Sequence, residues 1–261
     1  MNHDFDIAAS NYDSVFTYSK IGKTQRSFVH HHLSKILSKT KHINVLEINS
    51  GTGEDAKFMV NYNHKITATD ISKEMVSVAK LKNPDSNISF EQLDINELSP
   101  NTFDQKFDLI FSNFGGLNCL SPEELHNFLK IAPKILSDHG KMVLVVMPKN
   151  TLWEQFYFSL KGNLKKAFRR KTKSFQLANV EGILVKTWYY NPKDIRIKAT
   201  SFKQKKLKPI GLWVPPSYLE HSIVGKKSVL SFFTYLDILF SGRFFSKYAD
   251  HYYIELEKIS S

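Results

Sequence analysis

Apolar positions in this chain fall into two alternating kinds of segment. Five short runs, INVLEI from residue 43, KITATD from 65, ISFEQLD from 88, FDLIFSN from 107 and KMVLVVM from 141, are rich in β-branched and aromatic residues. Between them the apolar residues take helical spacing, as in Ala56, Met59 and Val60 after the first run and Met75, Val78 and Ala79 after the second. Alternation of this kind predicts a doubly wound α/β fold, with helices on both faces of a parallel sheet. Ser72 is placed to cap the second crossover helix, and Ser121-Pro122 with two acids behind it to start a later one. Gly140 is expected to end the last helical turn before the fifth strand.

Residues 1–42 are predicted helical, with Val29, Leu33, Ile36 and Leu37 on one buried face. After the sheet, Leu152 to about Arg170 is expected to be one aromatic and basic helix, and VEGILVKTWYY a strand or hairpin. KPIGLWV and HYYIELEKI are strand-like runs flanking a helical, aromatic segment. Three parts are therefore expected: a core with N-terminal helices over 1–150, a cap over 151–220 that includes sheet-edge elements, and a helix with a last strand over 221–261. There is no internal repeat and no low-complexity linker.

With 261 residues and 42% hydrophobic content, the chain can bury the core of one elaborated domain. Its charge is uneven. The first 150 residues carry a net charge of −1, and residues 151–261 carry +12. A field of that sign favours anionic partners and says nothing of fold. The single cysteine, Cys119, has no intramolecular partner, and the opening MNHDFDIAAS lacks a secretory pattern, so a cytoplasmic location is expected. The longest apolar stretch, Val229 to Phe240, is interrupted by Thr234 and Asp237 and is shorter than the ~20 residues that cross a bilayer. His30, His31 and His32 are adjacent, so on a helix they point about 100° apart and cannot share one ion. No metal site is expected.

The chemistry-bearing residues stand at the predicted strand ends, where open α/β sheets place their ligands. Glu47 ends the first strand, and Gly51 and Gly53 follow in a loop that can approach a ligand closely. Asp70 ends the second strand at a spacing suited to the two hydroxyls of a ribose. Asp94 ends the third, where a carboxylate can accept from an adenine amino group.

In this order and context the chain resembles the class I methyltransferases that use S-adenosylmethionine (SAM), especially the small-molecule branch containing the ubiquinone and menaquinone methylases. VLEINSGTG is similar to that family's cofactor loop, V-L-E-I/L-G-C-G-T-G, with Asn49 in place of the first glycine and Ser50 in place of the cysteine. Asparagine is the non-glycine residue that best tolerates positive φ, so the loop geometry can survive. The resemblance implies a Rossmann-like sheet, mostly parallel with an antiparallel last strand, carrying a cap insertion after the fifth strand. It also implies that Glu47, Asn49, Ser50, Gly51, Thr52 and Gly53 surround the cofactor's methionine portion and that Asp70 holds the ribose. Ile71 and Met75 would flank the adenine, Asp94 and Ile95 would complete its pocket, and Ser112, Asn113 and Phe114 would face the methyl group. FDIAASNYD resembles the family's opening motif, in which a tyrosine, here Tyr12, covers the cofactor. A nicotinamide-binding unit is the structural rival, but it has no role for Glu47 before the loop or for Asp94.

In-line methyl transfer needs chiefly alignment of donor and acceptor, and a general base only where the acceptor carries a proton. His3, His126, His251, Tyr18 and Tyr189 are candidates, with none singled out, and Asp108 is expected to be structural. The loop SNFGGLNCL lacks the N/D-P-P-Y/F motif with which many nucleobase methylases hold a planar amine. A small, largely apolar acceptor, methylated on oxygen or carbon, is therefore expected between the first helix and the cap, near Trp153, Phe156, Trp188 and Trp213. In the cap, Lys161, Lys165, Lys166, Arg169, Arg170, Lys171 and Lys173 line an aromatic helix. That suits either a lid or peripheral contact with an anionic membrane through 151–173. RNA methylation by the basic cap, or noncatalytic SAM binding at a membrane, are the alternatives.

Overall fold

The computed structural model describes residue 13, residues 17–180 and residues 183–259. Its main sheet has seven strands: β1 (Asn44–Ile48), β2 (Lys65–Asp70), β3 (Ile88–Gln92), β4 (Phe107–Ser112), β5 (Leu136–Val146), β8 (Phe202–Ile210) and β9 (His251–Lys258). Their spatial order is β3-β2-β1-β4-β5-β9-β8. The first five run parallel, and β9 lies antiparallel between β5 and β8. A two-stranded antiparallel ribbon, β6 (Gln176–Val180) and β7 (Ile183–Thr187), stands apart from this sheet.

Side chains alternate between two buried layers, as the strand period requires. Leu46, Ile48, Ile110, Met142 and Leu144 face one core, filled by Leu125, Phe128, Leu129 and Ala132 of α4 (Pro122–Ile135). Val45, Leu109, Phe111, Val143 and Val145 face the other. There they meet Val29, Leu33, Ile36 and Leu37 of α1 (Lys20–Leu37), together with α2 (Glu54–Val60) and α3 (Lys73–Lys82). The parallel strands therefore all present their carboxyl ends at one edge of an α/β/α sandwich. Ser72 caps α3 by accepting from the Met75 amide at 3.1 Å, and Ser121 and Glu124 form a reciprocal capping box on α4.

Four local expectations are corrected. α4 ends at Ile135, and Gly140 lies inside β5, where the register jumps from Phe107↔Leu136 to Leu109↔Lys141. The bulge is held by Asp108, which accepts from Ser137 Oγ at 2.7 Å and from the Asn44 amide at 3.0 Å. The aromatic, basic stretch is not one helix. α5 (Leu152–Leu160) breaks at Gly162, whose φ is 69°, and α6 (Leu164–Ala167) restarts under an Asn163 cap. The strand near KPIGLWV begins earlier, at Phe202, and stops at Ile210. As an edge strand it has an open side on which lysines and Pro209 are tolerated, which weakened its apolar pattern. Finally, Tyr189 and Tyr190 are both buried, because they lie beyond β7 and do not alternate.

α7 (Pro192–Lys198) and α8 (Lys227–Leu239) complete the cap side. Among the described residues no helix is long and apolar enough to cross a membrane, and no cluster of His, Cys, Asp and Glu could hold a metal ion.

Candidate cofactor and acceptor site

The loop between β1 and α2 turns sharply enough to need three residues with positive φ: Asn49 at 58°, Gly51 at 53° and Gly53 at 79°. Asn49 takes the conformation that a glycine would otherwise supply. Its side chain has room because Gly116 faces it, and a Cβ on Gly116 would lie 2.5 Å from the Asn49 Cβ. Asn49 Nδ2 also reaches Ser112 Oγ at 3.5 Å, which ties the loop to the end of β4.

Asp70 is buried at the tip of β2. Its Oδ2 accepts from the Gly51 amide at 2.8 Å and its Oδ1 from the Ser72 amide at 3.0 Å. The carboxylate is thereby fixed across the mouth of the glycine loop. Ile71 beside it is half-buried and Met75 is buried. At the end of β3, Asp94 caps a short turn by accepting from the Asn96 amide at 2.8 Å, with Ile95 half-buried next to it.

Behind the loop lies a charged cluster that the sequence pattern did not reveal. Asp55, in the first turn of α2, is ion-paired with Arg26 and lies 2.6 Å from His30 Nε2, both on α1, and it accepts from Asn113 Nδ2 at 2.9 Å. Burial works against its charge, but Arg26 and His30 outweigh it and hold the Asp55 carboxyl well below the usual range. Glu47 feels the opposite balance. Burial first, then the nearby Asp55 and Asp70, push its pKa far up despite Arg26 and so favour its neutral form. Arg26 also lies over the Phe114 ring, 5.1 Å from its centroid.

Asp13 closes the loop from another side. It accepts from Thr52 Oγ1 at 2.6 Å and pairs with Lys82 at the end of α3. Burial raises its pKa, but the hydrogen bonds from Lys82, Thr52 and Thr17 bring it below the ordinary value. A cleft with room for about 30 Å³ of water is lined by Thr17, Arg26, Asn49, Ser50, Asn113 and Phe114, among others. Among the described residues, Glu47 Oε2 and Ser50 Oγ are buried there or beneath it without a hydrogen-bond partner. A ligand bearing an amine and a carboxylate fits such a set, since it would supply the missing partners.

The structure thus gathers Glu47, Asn49, Ser50, Gly51, Thr52, Gly53, Asp70, Ser112, Asn113 and Phe114 around the ends of β1, β2 and β4. Ile71, Met75, Asp94 and Ile95 stand further along the same edge. Tyr12 and His3 lie outside the described residues. Among the candidate bases, His251 touches the loop after β4, with its ring 5.3 Å from Phe114 and its Nδ1 3.3 Å from Asp250 Oδ2. Tyr18 is exposed, and Tyr189 is buried under Arg170. His126 lies on α4.

The four apolar acceptor candidates do not gather in the same way. Trp153 donates from Nε1 to the Trp213 carbonyl at 2.8 Å, so these two adjoin. Trp188 packs instead against Phe175, and Phe156 is 64% exposed. The basic run is also divided. Arg169 and Arg170 turn inward onto the buried Glu154, and Arg170 reaches Asp250 as well, whereas Lys161, Lys165 and Lys166 stay exposed.

Residues 45–140 match the family described as a methyltransferase domain. In that stretch the chain is similar to a methyltransferase domain. Over 111 residues it is 32% identical to the malonyl-[acyl-carrier protein] O-methyltransferase of Acetivibrio thermocellus, a match covering 42% of this chain and 36% of that enzyme. Over 160 residues it is 26% identical to the non-reducing polyketide synthase nvfA of Aspergillus novofumigatus, covering 57% of this chain and 7% of the synthase. The chain thus spans well under two thirds of either relative. The solved complex of DhpI with SAH has the same fold, with a TM-score of 0.60 at 15% identity, over 98% of this chain and 94% of that one.

Proposed function

We propose that this methyltransferase transfers the methyl group of SAM in line to a small, largely apolar acceptor, with an oxygen or carbon atom as the site of methylation. The observation that carries the cofactor assignment is the Asp70 carboxylate, fixed by the Gly51 and Ser72 amides across the positive-φ loop. Asp70 would take the ribose hydroxyls, Asp94 the adenine amino group, and Ile71, Met75 and Ile95 the adenine faces. Glu47, Ser50 and the neighbouring loop amides would meet the methionine portion. SAM supplies an electrophilic methyl group when bound. The protein's part is alignment at Ser112, Asn113 and Phe114 and exclusion of water.

Two features support an apolar acceptor. The loop after β4 presents Phe114 with no aromatic-proline clamp, and Trp153 and Trp213 adjoin on the cap side. The similarity to a carrier-protein O-methyltransferase supports oxygen, in particular a carboxylate, as the acceptor atom. The cap's remaining exposed lysines beside Phe156, Leu160 and Leu164 support a peripheral contact of 151–173 with anionic membrane.

The experiment is incubation with methyl-tritiated SAM and either total RNA or a lipid-soluble metabolite extract. Label is expected in the extract, and Asp70→Ala, folded as judged by circular dichroism, is expected to weaken SAM binding at least about tenfold by calorimetry. Label in RNA, lost when Lys165 and Lys166 are neutralised, would overturn the acceptor reading. Unchanged SAM affinity in Asp70→Ala would overturn the ribose assignment.

A further inference from the structure

Helix α8 is amphipathic in the reverse of the usual sense. Its acidic residue, Asp237, is buried and accepts from the Leu212, Trp213 and Val214 amides at 2.9, 2.9 and 3.0 Å. Its outward face carries Phe232, Tyr235, Ile238 and Leu239, each close to 60% exposed, at helical spacings of three and four. Phe244, in the turn that follows, is 63% exposed.

The orientation is fixed. Leu230 and Phe233 pack inward with Ile21 and Val214, and rolling the helix to bury its outer ring would break the three bonds to Asp237. The apolar face is therefore presented to the outside by the fold itself, over an area larger than scattered surface residues would give.

The exposed charges along this stretch of chain have one sign. Between residues 221 and 249 Asp237 is the sole acid, and Lys226, Lys227, Arg243 and Lys247 are exposed at the two ends of the face. Lys247 sits over the rings of Phe244 and Tyr248, at 5.1 and 4.9 Å. A second copy of the chain would bring four cations against four with no acid between them. A neutral apolar partner would leave the cations unused. An anionic bilayer satisfies both features, taking aromatic and aliphatic side chains into the boundary between headgroups and acyl chains and the cations into the phosphate layer.

We propose that α8 and the turn after it form a face that docks on anionic lipid bilayers. The inference does not rest on what the active site methylates. Trp153 of α5 lies against Phe233 of α8, with ring centroids 5.6 Å apart, so the face adjoins the cap and is a separate element from 151–173.

The test is co-sedimentation of the full chain with vesicles of phosphatidylcholine alone or mixed with phosphatidylglycerol. The wild type is expected to bind the mixed vesicles at least about tenfold more tightly, with the preference fading in high salt. The double variant Phe232→Ser, Ile238→Ser, altered only at outward positions, is expected to lose that binding while keeping the wild-type unfolding curve. A second variant with Lys226, Lys227, Arg243 and Lys247 changed to Gln should lose the preference for anionic lipid. Lys165→Gln with Lys166→Gln, on α6, should leave most of it. Binding unchanged in both α8 variants would overturn the proposal, as would no vesicle binding by the wild type. So would a wild-type dimer in analytical ultracentrifugation that Ile238→Ser converts to monomer.

Discussion

Gly53 shows how narrowly the loop between β1 and α2 is specified. Its φ of 79° is strained for any L side chain, and an added Cβ would lie 2.7 Å from the Phe90 ring and 2.9 Å from Asn83 Nδ2, both side chains being buried. Gly53→Ala should therefore destabilise the fold by about 2–4 kcal/mol, from positive φ and overpacking together. Urea unfolding of the two proteins measures this, and a change below about 0.5 kcal/mol would show that the loop relaxes freely. At this scale much of the candidate site's arrangement was legible. Glu47, Gly51, Gly53, Asp70 and Asp94 announce themselves by standing at strand ends, and Asn49 by its tolerance of positive φ. Arg26, Asp13 and Gly116 were not, because each acts on residues far away in sequence and carries no local signature. Asp55 had a weak one, an acid in the first turn of a helix, which is commonplace.

Helix α8 illustrates the element scale. Burial pushes the Asp237 carboxyl up to about 6, against three backbone amides that favour its charged form. The folded state then prefers the protonated acid. Its contribution is complete below the unfolded value near 4 and is lost as pH rises through 6. Relative to Asp237→Asn, the wild type should lose on the order of 3 kcal/mol of unfolding free energy between pH 4 and pH 7. Denaturant titrations across that range test it, and parallel curves for the two proteins would refute it. The same helix explains a limit of sequence reading. Its apolar run was visible, but not which side faced out, because Asp237 inverts the pattern that burial normally imposes. In the cap, a continuous helical pattern hid the break, since Gly162 is one residue among many that favour helix.

On the scale of the whole molecule, cap and sheet are joined by a buried ionic hub. Arg170 bonds Glu154 Oε1 at 2.9 Å and Asp250 Oδ1 at 2.7 Å, with all three side chains nearly inaccessible. Gln25 of α1 joins at 3.2 Å from Asp250. Replacing Arg170 by Met would leave two buried carboxylates short of a partner. Arg169 still serves Glu154, so the cost should fall at the lower end of the 3–5 kcal/mol typical of such losses, about 3 kcal/mol. Chemical denaturation checks this, and adding Glu154→Gln should recover part of the loss. None of this hub was foreseen, because the basic run looked like one solvated face and the buried acids that divide it lie 15 to 80 positions away.

The position of β9 between β5 and β8 also sets an order of events during synthesis. When β8 leaves the ribosome it has no neighbour to pair with, since β9 follows some forty residues later and supplies the hydrogen bonds to both. Until then β8 must stay soluble as a lone strand. Its lysines at 203, 205, 206 and 208 and its proline at 209 make it a poor template for another chain, which is what a strand kept waiting requires.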